Sequence, residues 1–194
     1  MKSRRAGRGG MDTEITLIVD GHRHTVKVDT RITLLDLLRN RLGITSPKKG
    51  CDHGQCGSCT VLRDGRRVTT CLTFAAAADG STITTSDGLR GEDGSPHPLH
   101  RSFLDHDGLQ CGYCTPGQIC SAAGMLAEAQ AGWPSAVTPL TAATPALDAD
   151  EIRERLSGNL CRCGAYQGIV AAVTSVAEAQ GLAGPATAQR SAES

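Results

Sequence analysis

Alternating apolar and polar positions in the first half of the chain predict two β-hairpins. Apolar residues recur at every second position over residues 15–19 and 26–28, with Asp20-Gly21 between them as a two-residue turn. A second hairpin is predicted over residues 59–70, with its turn at Asp64-Gly65. Each hairpin should present one apolar face to a core.

A short helix and a further strand complete this first pattern. Leu34, Leu35, Leu38 and Leu42 lie on one helical face, and Gly43 suits the position just after a helix end. Another strand is predicted near residues 82–85. The order strand, strand, helix, strand, strand predicts a small mixed sheet wrapped on one helix.

After residue 90 the apolar period becomes helical. A helix is predicted from Pro98 through His106, another begins at Thr115 as N-cap with Pro116 at N1, and Asp148 with Glu151 forms a capping box for a third. A Pro-rich loop spans residues 131–147. The predicted apolar positions of these helices and of a fourth are Leu99 and Phe103; Ile119, Ala122, Ala123, Leu126 and Ala127; Ile152 and Leu156; and Ile169, Val170, Val173, Val176 and Ala177. Four short helices predict a small bundle.

The two patterns predict an α+β chain with two domains. The first domain spans residues 12–88 and the helical domain residues 96–182, with a seam near Gly88–Pro96 where Gly, Asp, Ser and Pro accumulate. Residues 1–11 and 183–194 are predicted to be disordered tails.

Composition excludes several classes of function. The 194 residues carry 20 basic and 20 acidic side chains, so no net positive charge would attract nucleic acid. Only 3% of the residues are aromatic, so a surface on which bases stack is not expected either. No apolar run approaches the roughly 20 residues of a membrane helix, so no membrane partner is expected. The chain has no G-x-G-x-x-G, P-loop or G-x-S-x-G motif and no carboxylate pair placed for acid–base catalysis.

The unusual feature is the cysteine count. The nine cysteines are Cys51, Cys56, Cys59, Cys71, Cys111, Cys114, Cys120, Cys161 and Cys163. An odd total in tight clusters fits metal ligation better than a disulfide framework and predicts a reducing, cytoplasmic location. The alternative is the periplasm, because Arg4-Arg5 could belong to an incomplete twin-arginine signal, although no apolar stretch follows.

The first cluster has the spacing of plant-type [2Fe–2S] ferredoxins. Cys51, Cys56 and Cys59 form C-x4-C-x2-C, and eleven residues separate Cys59 from Cys71. Two irons bridged by two sulfides need four thiolates, and glycines in the loop let backbone N–H groups turn toward sulfur. Zinc remains the alternative, although an x4 spacing joined to x2 is unusual for it.

The second set is Cys111-x2-Cys114 with Cys161-x-Cys163. The first pair precedes a predicted helix, the second lies in the turn before the last helix, and a bundle can bring those ends together. Alone, this set leaves iron–sulfur and zinc both open; beside the first motif, iron–sulfur is favoured. Cys120 is left over, and we interpret it as a small buried side chain.

At this point the residues resemble a known family. CDHGQCGSCTV, TTCLTFA, LQCGYCTPGQIC and SGNLCRCGAYQGI are similar to the small iron–sulfur subunit of molybdenum hydroxylases, the xanthine dehydrogenase and aldehyde oxidase family. The resemblance covers about residues 12–180. It implies a β-grasp plant-type [2Fe–2S] ferredoxin domain followed by a four-helix-bundle [2Fe–2S] domain, each with four cysteine ligands.

The resemblance also implies a role and partners. Electrons would pass from a molybdenum-pterin cofactor through the bundle cluster and the ferredoxin cluster to FAD, with molybdenum and FAD on a large molybdopterin-binding subunit and an FAD-binding subunit. Gln110 and Cys163 would contact the pterin. The chain itself would only transfer electrons, within a hetero-oligomeric oxidoreductase.

Within the family, the insert with WPSAVT and the run DADEIRERLSGNLCRCGAYQGIVAA resemble the three-subunit periplasmic-type bacterial aldehyde oxidoreductases. That branch implies molybdopterin cytosine dinucleotide, an additional [4Fe–4S] cluster on the FAD subunit, and a heterotrimer or its dimer. The alternatives are the same role in a carbon monoxide dehydrogenase or an N-heterocycle or xanthine hydroxylase, and a free-standing ferredoxin-like carrier. The Ala-rich second and fourth bundle helices disfavour the free-standing carrier, since their apolar surface suits a permanent interface.

Overall fold

A five-stranded mixed sheet and a set of helices make up the computed structural model, which describes residues 11–91, 93–139 and 145–183. The predicted tails, with Arg4-Arg5, lie outside these residues except for Met11 and Ala183. None of the described helices combines the length and apolar character that crossing a membrane requires.

The sheet consists of β1 (Asp12–Val19), β2 (His22–Asp29), β3 (Thr60–Arg63), β4 (Arg66–Thr69) and β5 (Thr82–Thr84) in the order β2-β1-β5-β3-β4. β1 and β5 are parallel, and the other neighbours are antiparallel. Asp20-Gly21 and Asp64-Gly65 form the two hairpin turns with positive φ at all four residues, as such tight turns require. Both predicted hairpins and the fifth strand are confirmed.

Helix α1 (Leu34–Asp36) continues as a π turn over Leu37–Arg41 and packs on the sheet. The N–H of Leu42 bonds the carbonyl of Leu37, five residues back, which widens the turn. This widening buries Leu37, which the predicted stripe omitted, and leaves Leu42 half-buried. Leu34, Leu35 and Leu38 are buried and Leu42 packs half-buried against the core, so the predicted stripe is confirmed.

Four helices follow: α2 (Pro98–Asp105), α3 (Thr115–Gln130), α4 (Ala149–Leu156) and α5 (Tyr166–Ala179). Their buried side chains form one core, and Leu62 from β3 joins it, so the sheet and the bundle share an interface. The four-helix prediction is confirmed, while the predicted domain bounds stay predictions.

Three details of the bundle differ from expectation. Thr115 is not the N-cap of α3, because Cys114 already has helical φ and ψ and takes that position without a side-chain bond. Ala127 is exposed, and the Ala-rich faces of α3 and α5 are largely buried inside the chain itself, through residues such as Ala122 and Ala172. Since Ala127, Ala171 and Ala179 of these helices are exposed, a permanent interface through them stays a prediction.

Asp148 does cap α4, accepting from the N–H groups of Asp150 and Glu151. The predicted capping box is incomplete, because the N–H of Asp148 donates to the carbonyl of Ala146 and the Glu151 carboxylate accepts from Arg155.

Candidate metal centres

The first four cysteines gather between the loop after α1 and the end of β4. The thiol of Cys51 contacts that of Cys56, and the thiol of Cys59 contacts that of Cys71. Cys59 and Cys71 are buried beside Leu35, while Cys51 and Cys56 lie toward the surface. The structure thus brings together all four residues that the spacing had singled out.

Backbone donors surround Cys51. The N–H groups of Gln55 and Cys56 donate to its Sγ at 3.2 and 3.4 Å. The N–H of His53 and these donors lower the pKa of the Cys51 thiol to about 6, because they stabilise the thiolate. Burial, followed by the neighbouring Cys59 thiol, raises the pKa of Cys71 to about 12. The loop therefore stabilises negative charge on sulfur at its outer edge.

The second set comes together at one end of the bundle, as predicted. The thiol of Cys111 contacts that of Cys163, and the thiol of Cys114 contacts that of Cys161. The N–H of Tyr113 lowers the pKa of Cys111, whereas burial raises that of Cys114 to about 12. Each thiol of the C-x2-C motif therefore contacts one thiol of the C-x-C motif.

The donor chemistry fits a binuclear cluster at both places. Among residues 11–91, 93–139 and 145–183, no three His, Cys, Asp or Glu side chains converge as ligands of one metal ion would. The thiols stand in pairs, and a [2Fe–2S] cluster takes two thiolates at each of its two irons. The residues present could hold such a cluster in each domain.

Two other residues singled out in the sequence, Gln110 and Cys120, take different positions, and His53 lies in the loop of the first set. Gln110 precedes Cys111 and is exposed, as is His53, whose Nδ1 lies 2.5 Å from the carbonyl oxygen of Cys51. Cys120 is 1% exposed in the core of the bundle, and burial raises the pKa of its thiol. It lies with Met125 and Phe103 in the same apolar cluster.

Sequence reasoning missed the residues that join the two sites. Asn159 is buried between them, and the N–H of Leu160 donates to the carbonyl oxygen of Cys56 at 2.9 Å. The hydroxyl of Tyr166 accepts from the N–H of Cys161 at 2.8 Å. The only signal available was their place in the run SGNLCRCGAY around the C-x-C motif.

Comparisons with known proteins cover both parts of the chain. A 2Fe-2S iron–sulfur cluster binding domain matches residues 17–84, and a [2Fe-2S] binding domain matches residues 85–174. The matches therefore give the chain two [2Fe–2S]-binding domains, one for each set of four cysteines.

Individual relatives have assigned roles. The chain is 55% identical over 163 residues to the aldehyde oxidoreductase iron-sulfur-binding subunit PaoA of Escherichia coli K12, covering 84% of this chain and 71% of that one. It is 47% identical over 160 residues to the nicotine 6-hydroxylase small subunit of Paenarthrobacter nicotinovorans, covering 82% and 87%. The solved structure of quinoline 2-oxidoreductase from Pseudomonas putida 86 matches with a TM-score of 0.73 at 38% identity, covering 89% of this chain and 99% of that one.

Proposed function

This chain belongs to the iron–sulfur small subunits of the molybdenum hydroxylases, and we propose from that premise that its enzyme oxidises aldehydes. Membership makes it an electron-transfer subunit of a hetero-oligomeric oxidoreductase. The observation that carries the aldehyde proposal is the 55% identity to a subunit of an aldehyde oxidoreductase.

The ligand assignment supports the role. We assign Cys51, Cys56, Cys59 and Cys71 to one cluster and Cys111, Cys114, Cys161 and Cys163 to the other. When bound, each cluster would accept and release one electron. The protein's part is to hold thiolates in pairs, to direct N–H groups at the Cys51 sulfur, and to keep Cys59 and Cys161 away from solvent.

The partners follow from the two sites. We propose that the bundle site faces a large subunit carrying molybdenum with molybdopterin cytosine dinucleotide, and that the ferredoxin site faces an FAD subunit, which in this branch also holds a [4Fe–4S] cluster. Exposed Gln110 and half-exposed Cys163 support a pterin contact at the bundle site. We also propose a cytoplasmic location, because the cysteines fall in tight clusters that suit metal ligation better than a disulfide framework.

N-heterocycle hydroxylation is the second candidate. The 47% identity to a nicotine 6-hydroxylase small subunit favours it specifically. The chain's own role would be the same in both enzymes, because substrate chemistry occurs on the molybdenum-bearing subunit.

Purification of the affinity-tagged chain with its co-expressed neighbouring subunits tests both candidates. We expect the partner subunits to co-purify with the chain in a complex that contains molybdenum and FAD. Aldehydes should reduce the clusters of this complex. Reduction by N-heterocycles in place of aldehydes would support the second candidate, and a chain purified alone without partner subunits would contradict both.

A further inference from the structure

One buried amide connects the segments that carry both ligand sets. Asn159 is 7% exposed and lies two residues before Cys161. Its Nδ2 donates to the carbonyl oxygens of Gly57 at 3.0 Å and Gly117 at 3.2 Å. Gly57 follows Cys56, and Gly117 lies three residues after Cys114. A single side chain therefore reaches the ferredoxin loop, the start of α3 and the turn before α5.

Further contacts hold both the side chain and the backbone of Asn159 in place. The Oγ1 of Thr60 lies 3.4 Å from Nδ2, and the backbone carbonyl of Asn159 accepts from Nε2 of Gln118 at 2.7 Å. Thr60 follows Cys59, so the contact adds a fourth segment next to a ligand. An Asp of the same shape would offer no N–H to these oxygens.

The backbones around Asn159 approach too closely for larger residues. A Cβ on Gly57 would lie 2.4 Å from the carbonyl oxygen of Gly158, and a Cβ on Gly117 would lie 2.6 Å from the carbonyl oxygen of Gly57. These are backbone contacts, which cannot give way as a flexible side chain can. The two domains therefore meet at one fixed spacing, with the amide of Asn159 bonded across it.

We propose that Asn159 is a positioning residue that sets the separation of the two clusters. The inference rests on the ligand assignment proposed above. Electron tunnelling falls steeply with distance, so the separation determines how fast one electron passes from the reduced bundle cluster to the oxidised ferredoxin cluster. Asn159 touches neither cluster in this account and acts through the backbones of Gly57 and Gly117.

Low-temperature EPR of the full chain, purified with its partner subunits and reduced with excess dithionite, tests the proposal. Two paramagnetic centres split each other's lines, and the splitting falls with the cube of their separation. We expect the splitting to become smaller, or too broad to resolve, in Asn159→Ala. Both signals should keep their integrated intensity. A residue needed only for folding would instead lower the intensity of a signal.

Gly117→Ala perturbs the same contact from the other side and keeps Asn159 in place. Its Cβ should push the ferredoxin loop away from α3, so the splitting should fall here too, even if Asn159→Ala does not assemble. Gly158→Ala is the matched control, because a Cβ there meets nothing within 4 Å. Asn40→Ala, at an exposed position, controls for loss of an amide.

Unchanged splitting in Asn159→Ala and in Gly117→Ala, each with both clusters present, would overturn the positioning role. An equal loss in the Gly158→Ala control would overturn it as well. A parent protein without iron would contradict the proposed function itself, so the two failures are distinguishable.

Discussion

The backbone N–H of Leu160 donates to the carbonyl oxygen of Cys56 across 2.9 Å. Leu160 directly precedes Cys161, so a few covalent bonds and one hydrogen bond join a thiol of the bundle set to a thiol of the ferredoxin set. Asn159 is the neighbouring residue, and its amide bonds Gly57, the residue after Cys56. The two cysteine sets are therefore parts of one connected network, although Asn159 and Gly57 lie 102 residues apart in the chain.

The first prediction concerns metal content. Two sets of four thiols in pairs should hold two [2Fe–2S] clusters, so the chain should bind about four irons with about four acid-labile sulfides. Iron, sulfide and zinc assays on the purified protein measure this directly. Two irons per chain, or stoichiometric zinc, would refute the assignment.

The second prediction concerns Cys120. Its thiol is 1% exposed and packs within the bundle core, and it falls outside both ligand spacings. Cys120→Ala should retain both EPR signals and lower the free energy of unfolding by about 1 kcal/mol, since only packing is lost. Cys111→Ala is the comparison variant, and it should lose the bundle signal. Loss of either signal in Cys120→Ala would make this thiol a ligand.

Local patterns explain what the sequence could predict. The hairpin turns depend on adjacent residues such as Asp64-Gly65, and the cysteines that we assign to the ferredoxin cluster follow a short spacing. The predicted N-cap of α3 was wrong because Cys114 already has helical φ and ψ, so the helix includes Thr115. The bond from Asn159 to Gly57 spans 102 residues, and no periodicity in one sequence marks such a pair.

A third prediction addresses the ion pair between the domains. Arg67 of β4 donates from Nε to Oε1 of Glu128 in α3 at 2.9 Å, and its Nη1 donates to the carbonyl oxygen of Arg155 at 2.7 Å. Both charged groups are largely shielded from water. Glu128→Gln should lower the free energy of unfolding by on the order of 1–3 kcal/mol, because it leaves a guanidinium without its carboxylate.

Urea denaturation checks this value against a matched exposed pair. Asp150→Asn removes the carboxylate that Arg153 binds on the surface of α4. This substitution should lower the free energy of unfolding by roughly 0.5 kcal/mol or less. Equal effects of the two variants would show that the inter-domain pair contributes no more than a surface pair.

A fourth prediction concerns Tyr166. Its hydroxyl accepts from the N–H of Cys161, so Tyr166→Phe removes a bond at the backbone of one ligand. The g values of the bundle cluster should shift while those of the ferredoxin cluster stay the same, since hydrogen bonds near the sulfurs tune such centres. The control is Tyr113→Phe. The hydroxyl of Tyr113 donates to the carbonyl oxygen of Lys49 and does not bond a ligand. EPR shifts of the same size in both variants would contradict the assignment.

The last prediction tests the contact to the pterin. Gln110 is exposed beside Cys111, and its amide offers both a donor and an acceptor to a pterin edge that presents both. Gln110→Ala should leave both clusters intact and slow their reduction by an aldehyde in the complex. The loss of one neutral hydrogen bond costs about 1 kcal/mol, so the defect should be partial. Stopped-flow absorbance at the cluster bands measures the rate, with Gln180→Ala, at the far end of α5, as the control. Reduction of the Gln110→Ala complex at the parent rate would show that this amide does not contribute to the contact.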